Sequence, residues 1–178
     1  MASTRGIARS PIAWAVAVLL VIGLGVGLAA FQPWRLFTDT TVQEAAPSAA
    51  APSGPGGADA QPRALARGTF ISHEHATSGT VVILGLPDGS RVLRVEDLDT
   101  SDGPDLHVWL TDAPVRAGRD GWFVFDDGLH TDLGKLKGNH GDQNYPVPAD
   151  ADLARLTSVA IWCDRFDVSF GAAELRPA

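Results

Sequence analysis

At 178 residues the chain has room for one modest domain plus extra segments, and its 45% apolar content is that of a globular protein. The net charge of −7 is unevenly spread: from Leu65 onward eighteen Asp and Glu face ten Lys and Arg. So acidic a module repels phosphate backbones, which argues against nucleic acid as a partner and disfavours polybasic lipid contact.

Residues 12–31 are uncharged and almost wholly apolar. As a helix, about 20 residues cross a hydrocarbon core of roughly 30 Å. Trp14 and Trp34 fall near the two ends, where amphipathic rings favour the membrane interface. Arg5 and Arg9 precede the run, and only Arg35 follows closely. The positive-inside bias therefore predicts a single-pass anchor in the cell membrane, residues 1–11 cytoplasmic and everything after Phe37 extracytoplasmic. Gly27-Leu28-Ala29 offers a competing signal-peptidase site. The apolar run exceeds the ~7–15 residues of a signal h-region, which favours retention. No cysteine follows the segment closely, which excludes lipoprotein anchoring.

Residues 38–64 are rich in Ala, Pro, Gly, Ser and Thr. With so little apolar surface to offset chain entropy, they read as a disordered linker holding the domain off the membrane. From Leu65 to Leu175 the texture changes to short apolar runs broken by turn residues. Strands are predicted over residues 69–75 and 79–86, the second rich in β-branched side chains. Pro87-Asp88-Gly89-Ser90 is a turn into a strand over residues 91–95, so this pair reads as a hairpin. Further strands are predicted over 106–110 and 129–136, with 122–125 a strand or a loop anchor. Residues 158–163 and 166–170 make a closing pair. Only 150–156 suits a short helical turn. Regular strand–turn spacing without an amphipathic helix or an internal repeat predicts an all-β sandwich or barrel.

Cys163 is the only cysteine, so an internal disulfide is excluded. Three readings remain: an inert buried side chain, a reactive or cofactor-binding thiolate, or a bridge to another chain. Strand alternation puts Val159, Ile161 and Cys163 on one face and Ala160, Trp162 and Asp164 on the other. Both faces invite burial. His73 and His75, two apart on a predicted strand, leave one face and form a candidate metal pair. His107 sits mid-strand beside Val108 and Trp109. His130 and His140 lie in polar surroundings where solvation is the default. No Cys-x-x-Cys-His occurs, which excludes covalent c-type haem and leaves non-covalent haem, with Cys163, His107 and His140 as candidate ligands. Residues 133–148, rich in glycine and amides, read as a self-bonded loop or a binding rim. Asp102, Asp105 and Asp142 are calcium candidates, although no calcium-loop motif is present. Hydrolase, Walker, zinc-protease and dinucleotide motifs are absent as well.

An ordered series of motifs completes the reading. It runs through Gly68-Thr69-Phe70, His75, Ser78-Gly79, Val92-Leu93-Arg94-Val95-Glu96-Asp97-Leu98 and Gly103-Pro104-Asp105-Leu106-His107-Val108-Trp109-Leu110. It continues through Leu133-Gly134-Lys135-Leu136-Lys137-Gly138-Asn139-His140-Gly141-Asp142 and ends at Val159-Ala160-Ile161-Trp162-Cys163-Asp164-Arg165-Phe166 with Phe170-Gly171. The series resembles the DM13 domain over residues 65–175. The resemblance implies a β-rich extracytoplasmic module of electron-transfer systems. It also implies that Cys163 matches the family's suggested free thiol or haem ligand. Such domains accompany DOMON and cytochrome b561-like modules in animals. This chain has one candidate membrane segment with no histidine in it, so an electron donor would be a separate redox partner protein. The competing reading is a non-catalytic surface-binding module in which Cys163 is a buried structural thiol.

Overall fold

The computed structural model describes residues 10–47 and 61–178. Helix α1 (Pro11–Phe31) opens behind Ser10, whose hydroxyl accepts from the Ala13 amide, and none of its residues is buried. A cap side chain and proline in the first turn are what a helix start requires. Gln32 takes a left-handed conformation and ends it, and Pro33–Phe37 form a short 3-10 turn. The helix is long and apolar enough to cross a membrane.

The rest is β. Ten strands form one curled sheet: β1 (Thr41–Gln43), β2 (Arg63–Ser72), β3 (Ser78–Gly85), β4 (Arg91–Asp99), β5 (Leu106–Thr111), β6 (His130–Lys135), β7 (His140–Val147), β8 (Ser158–Cys163), β9 (Val168–Glu174) and β10 (Arg176–Pro177). The order is β1-β7-β4-β3-β2-β9-β8-β5-β6, with β10 beside β2. Pairing is antiparallel except between β1 and β7. The long β2 pairs with β3 through its first half and with β9 through Phe70, Ile71 and Ser72, so it carries the sheet around the bend. A Cβ at Gly68 would lie 2.5 Å from the Glu174 carbonyl oxygen, so the bend needs glycine there. The result is the expected all-β, barrel-like fold, a half-barrel.

Its interior is lined by alternating apolar residues from both halves: Val81 and Ile83, Leu93 and Val95, Val108 and Leu110, Val159, Ile161 and Cys163. A second cluster lies on the other face of β5, β8 and β9, where Trp109, Ala160, Trp162 and Ala172 meet Ala113 and Phe125. The excursion between β5 and β6 supplies that cover. Both faces of β8 are therefore buried, which settles the ambiguity left by its alternation. Residues 122–125 form no strand. They follow a 3-10 turn at Arg119–Gly121, and the fully buried Phe125 anchors the excursion.

Two sequence expectations change. Residues 133–148 are not a loop: β6 and β7 occupy most of them, joined by residues 136–139. Gln143 points inward and replaces the missing apolar anchor. Its carbonyl accepts from the amides of Lys137 and Gly138 and from the Tyr145 hydroxyl, while its amide donates to the Gly138 carbonyl. The expected linker over 38–64 is also shortened at both ends. Residues 63–64 begin β2, and residues 41–43 form β1, in register Thr41↔His140, Val42↔Gly141 and Gln43↔Asp142. The middle of that linker, 48–60, lies outside the described residues, as do residues 1–9 of the expected cytoplasmic segment.

Composition misled here because this strap is held by polar contacts rather than apolar burial. Asn139 accepts from the Thr40 amide at 2.7 Å and donates to Asp39 at 3.0 Å. Glu44 receives the Asn144 amide and pairs with Lys137, both at 2.7 Å. Arg94 and Asn144 donate to the carbonyls of Glu44 and Ala45.

Candidate functional site

Cys163 ends β8 and pairs with Leu106 of β5 and Val168 of β9. The turn 164–167 folds back over it, closed by the Phe166 amide donating to the Cys163 carbonyl at 3.2 Å. Asp167 accepts a left-handed conformation to complete the turn. The Asp164 amide donates to the Asp105 carbonyl at 3.0 Å, pinning the turn to the entry of β5. Cys163 is fully buried within the inner core. Burial pushes its thiol above the ordinary value, and the Asp105 carboxylate adds to this. Backbone hydrogen bonds from Arg165, Phe166 and Asp105 act in the opposite direction. The thiol form wins, so the sulfur is protonated at neutral pH and shielded from solvent.

His107 pairs with Trp162 in the β5–β8 register, so it stands on the opposite sheet face from Cys163. Three carboxylates surround it: Asp132 at 2.8 Å from Nδ1, and Asp105 at 3.4 Å and Asp164 at 3.9 Å from Nε2. Desolvation pushes the Asp164 carboxyl up, whereas the Lys135 ammonium, 2.8 Å from Asp105, holds that carboxyl low. Sequence reading named His107 but missed Asp132 and Asp164, because only the β5–β6 and β5–β8 registers bring them to it.

His140 sits at the start of β7 between Asp39 and Asp99, at 3.2 and 3.3 Å, and helps hold the strap. His73 and His75 do not share a face, because β2 ends at Ser72 and the chain turns. His73 is buried, with Nδ1 2.9 Å from the Ser169 hydroxyl and Nε2 3.1 Å from the Arg116 carbonyl. Burial lowers its pKa, so the neutral ring is retained. His75 stacks on Phe170 at 4.0 Å instead. Asp102, Asp105 and Asp142 likewise separate, to Arg35, Lys135 and Arg94 respectively. Among the described residues no group of three or more His, Cys, Asp or Glu side chains is arranged to hold a metal.

The residues do not fit haem at Cys163. The sulfur has no open face, and His107 lies across the sheet from it. The two concavities of note lie elsewhere, one of about 710 Å³ beside Arg67, Thr80 and Arg176 and one of about 340 Å³ beside His130 and Asp152.

The outer core holds a second feature that sequence reading did not assemble. Five rings follow one another: His130 on Trp109 at 4.1 Å, Trp109 on Trp162 at 5.1 Å, Trp162 against Phe125 at 6.4 Å, and Phe125 on His73 at 5.7 Å. His130 is exposed and the Trp pair is buried, and the Trp109 indole N–H has no hydrogen-bond partner among the described residues.

The domain is thus a small β module, a curled and mostly antiparallel half-barrel with a sealed thiol, preceded by an apolar helix. Residues 69–175 match the family described as electron transfer DM13, and the chain belongs to that family. No curated protein and no solved structure matches it.

Proposed function

We propose that the chain is a membrane-anchored electron-transfer module whose DM13 domain lies outside the cytoplasm. On this reading Cys163 is a packed, protonated thiol, neither an exposed nucleophile nor a haem ligand. The observation that carries this role for the cysteine is the complete burial of its side chain at the end of β8. The family description supports electron transfer, the apolar α1 supports anchoring, and Arg5 and Arg9 ahead of it support the orientation. The ring series supports a route for an electron that does not need the thiol, since tryptophan is readily oxidised by one electron and stacked rings can share the resulting hole. An acidic exterior suits a basic face on a soluble or membrane-bound redox partner.

The test uses the full chain in detergent with a photogenerated ruthenium(III) complex as one-electron oxidant, recording the tryptophan radical absorbance. The expected result is a transient that Trp109→Phe and Trp162→Phe each diminish and Cys163→Ala leaves unchanged. A transient insensitive to both tryptophan changes, or lost with Cys163→Ala, contradicts the reading.

A further inference from the structure

The strap and the helix end hold the domain against the end of α1 rather than away from it. Resting on the anchored reading above, we propose that the turn 164–167, with Trp34 and Phe37, seats the domain on the lipid headgroup region, Phe166 lying at the hydrocarbon boundary. Helix α1 has 21 residues, a length of ~31 Å at ~1.5 Å per residue, which matches a hydrocarbon core of roughly 30 Å. Its last residue, Phe31, therefore marks the outer boundary. The Phe166 ring stacks on Phe31 with centroids 5.7 Å apart and planes 22° apart, so Phe166 shares that depth.

Phe166 remains 43% exposed, Trp34 50% and Phe37 88%, three aromatic rings beside the same helix end. The amphipathic indole of Trp34 favours the headgroup level, and the apolar rings of Phe37 and Phe166 suit the hydrocarbon boundary just beneath it. The tilt is fixed by polar contacts. The Arg35 guanidinium reaches the Asp102 carboxylate and the Gly103 carbonyl, each at 3.3 Å, and Thr38 donates to Asp102 at 3.1 Å. Residues 41–43 then dock on β7, so no free stalk separates helix from domain on this side. Asp164 and Asp167 flank Arg165 and Phe166, which gives the turn no positive excess. The seat is aromatic rather than polybasic, and neutral phosphatidylcholine suffices as its partner.

The experiment reconstitutes the full chain in phosphatidylcholine vesicles, with p-benzoylphenylalanine in place of either Phe166 or Leu129. The two positions are similarly exposed, at 43% and 46%, so both substitutions are tolerated. They sit at opposite ends of β5, whose length separates them by roughly 17 Å. On illumination the label at 166 is expected to give several-fold more lipid adduct than the label at 129, detected by mass spectrometry. Flotation of the vesicles is scored in parallel. Chain that floats with equal adduct at the two positions overturns the seating while leaving the anchor intact. Chain that does not float overturns both.

Discussion

At the scale of single residues, the chemistry of this domain is decided by burial. Cys163 was the residue from which most could be expected, and its surroundings make it a core side chain. Removing its thiol removes packing: Cys163→Ala is expected to destabilise by about 1–2 kcal/mol, within the usual range for small core truncations. Cys163→Ser is expected to cost more, because the hydroxyl enters an apolar cluster. Denaturant midpoints of the three proteins check the order. The pH dependence has a definite sign. Burial raises both Cys163, from 9.0, and Tyr145, from 10.0, so the native state holds these protons longer than the unfolded chain. Their contribution is fully present below pH 9 and is lost as pH rises beyond it. Cys163→Ala is expected to flatten the first part of that alkaline decline, measured by urea unfolding across the pH series.

Arg94 is the other residue whose role follows from burial. It is 6% exposed and holds Asp142, Glu96, Asn144 and the Glu44 carbonyl together. Arg94→Ala is expected to cost about 2–3 kcal/mol, less than the ~3–5 of a wholly buried pair, because Glu96 and Asp142 keep access to water. Equilibrium unfolding of the variant checks this figure.

Among the elements, the strap is the one with most consequence. Its docking depends on two glycines of β7 and the turn before it. A Cβ at Gly138 would come within 2.4 Å of the Thr40 carbonyl, and one at Gly141, where φ is +93°, within 2.1 Å of the Val42 carbonyl. Gly138→Ala keeps an ordinary backbone, so it tests the close approach alone. It is expected to displace residues 39–45 and cost at least about 1–2 kcal/mol. Hydrogen exchange at the Thr40, His140 and Glu44 amides, which all bond across this seam, reads the displacement directly.

The strap also shows where sequence reading stops. β3, β4, β5 and β8 were legible because Val, Ile and Leu alternate or cluster in them between turn residues. β7 was not, since its inward positions include Gln143 and its outward ones Asn144 and Pro146. The strap was illegible for the same reason, as its partners are the amides and charges of β7. Of the site, Cys163 and His107 were named from sequence. The shared face assumed for His73 and His75 failed because β2 ends one residue before them. The ring series needed the β5–β8 register and the cover of the β5–β6 excursion, neither of which leaves a local pattern.

At the scale of the whole molecule, two cores and one anchor point make a consistent arrangement. The inner core seals the thiol, the outer core stacks the aromatic rings, and the helix end meets the domain where β8 ends and β5 begins. The electron-transfer role proposed for this DM13 chain therefore rests on a domain whose cysteine is closed to solvent. The most direct test is the reactivity of that thiol. The full chain in detergent is mixed with a disulfide reagent at about pH 8, near the ordinary thiol pKa, with and without denaturant. The expected result is no reaction in the folded state and one thiol per chain after unfolding. Full reaction of the folded protein at the rate of a free thiol would contradict it.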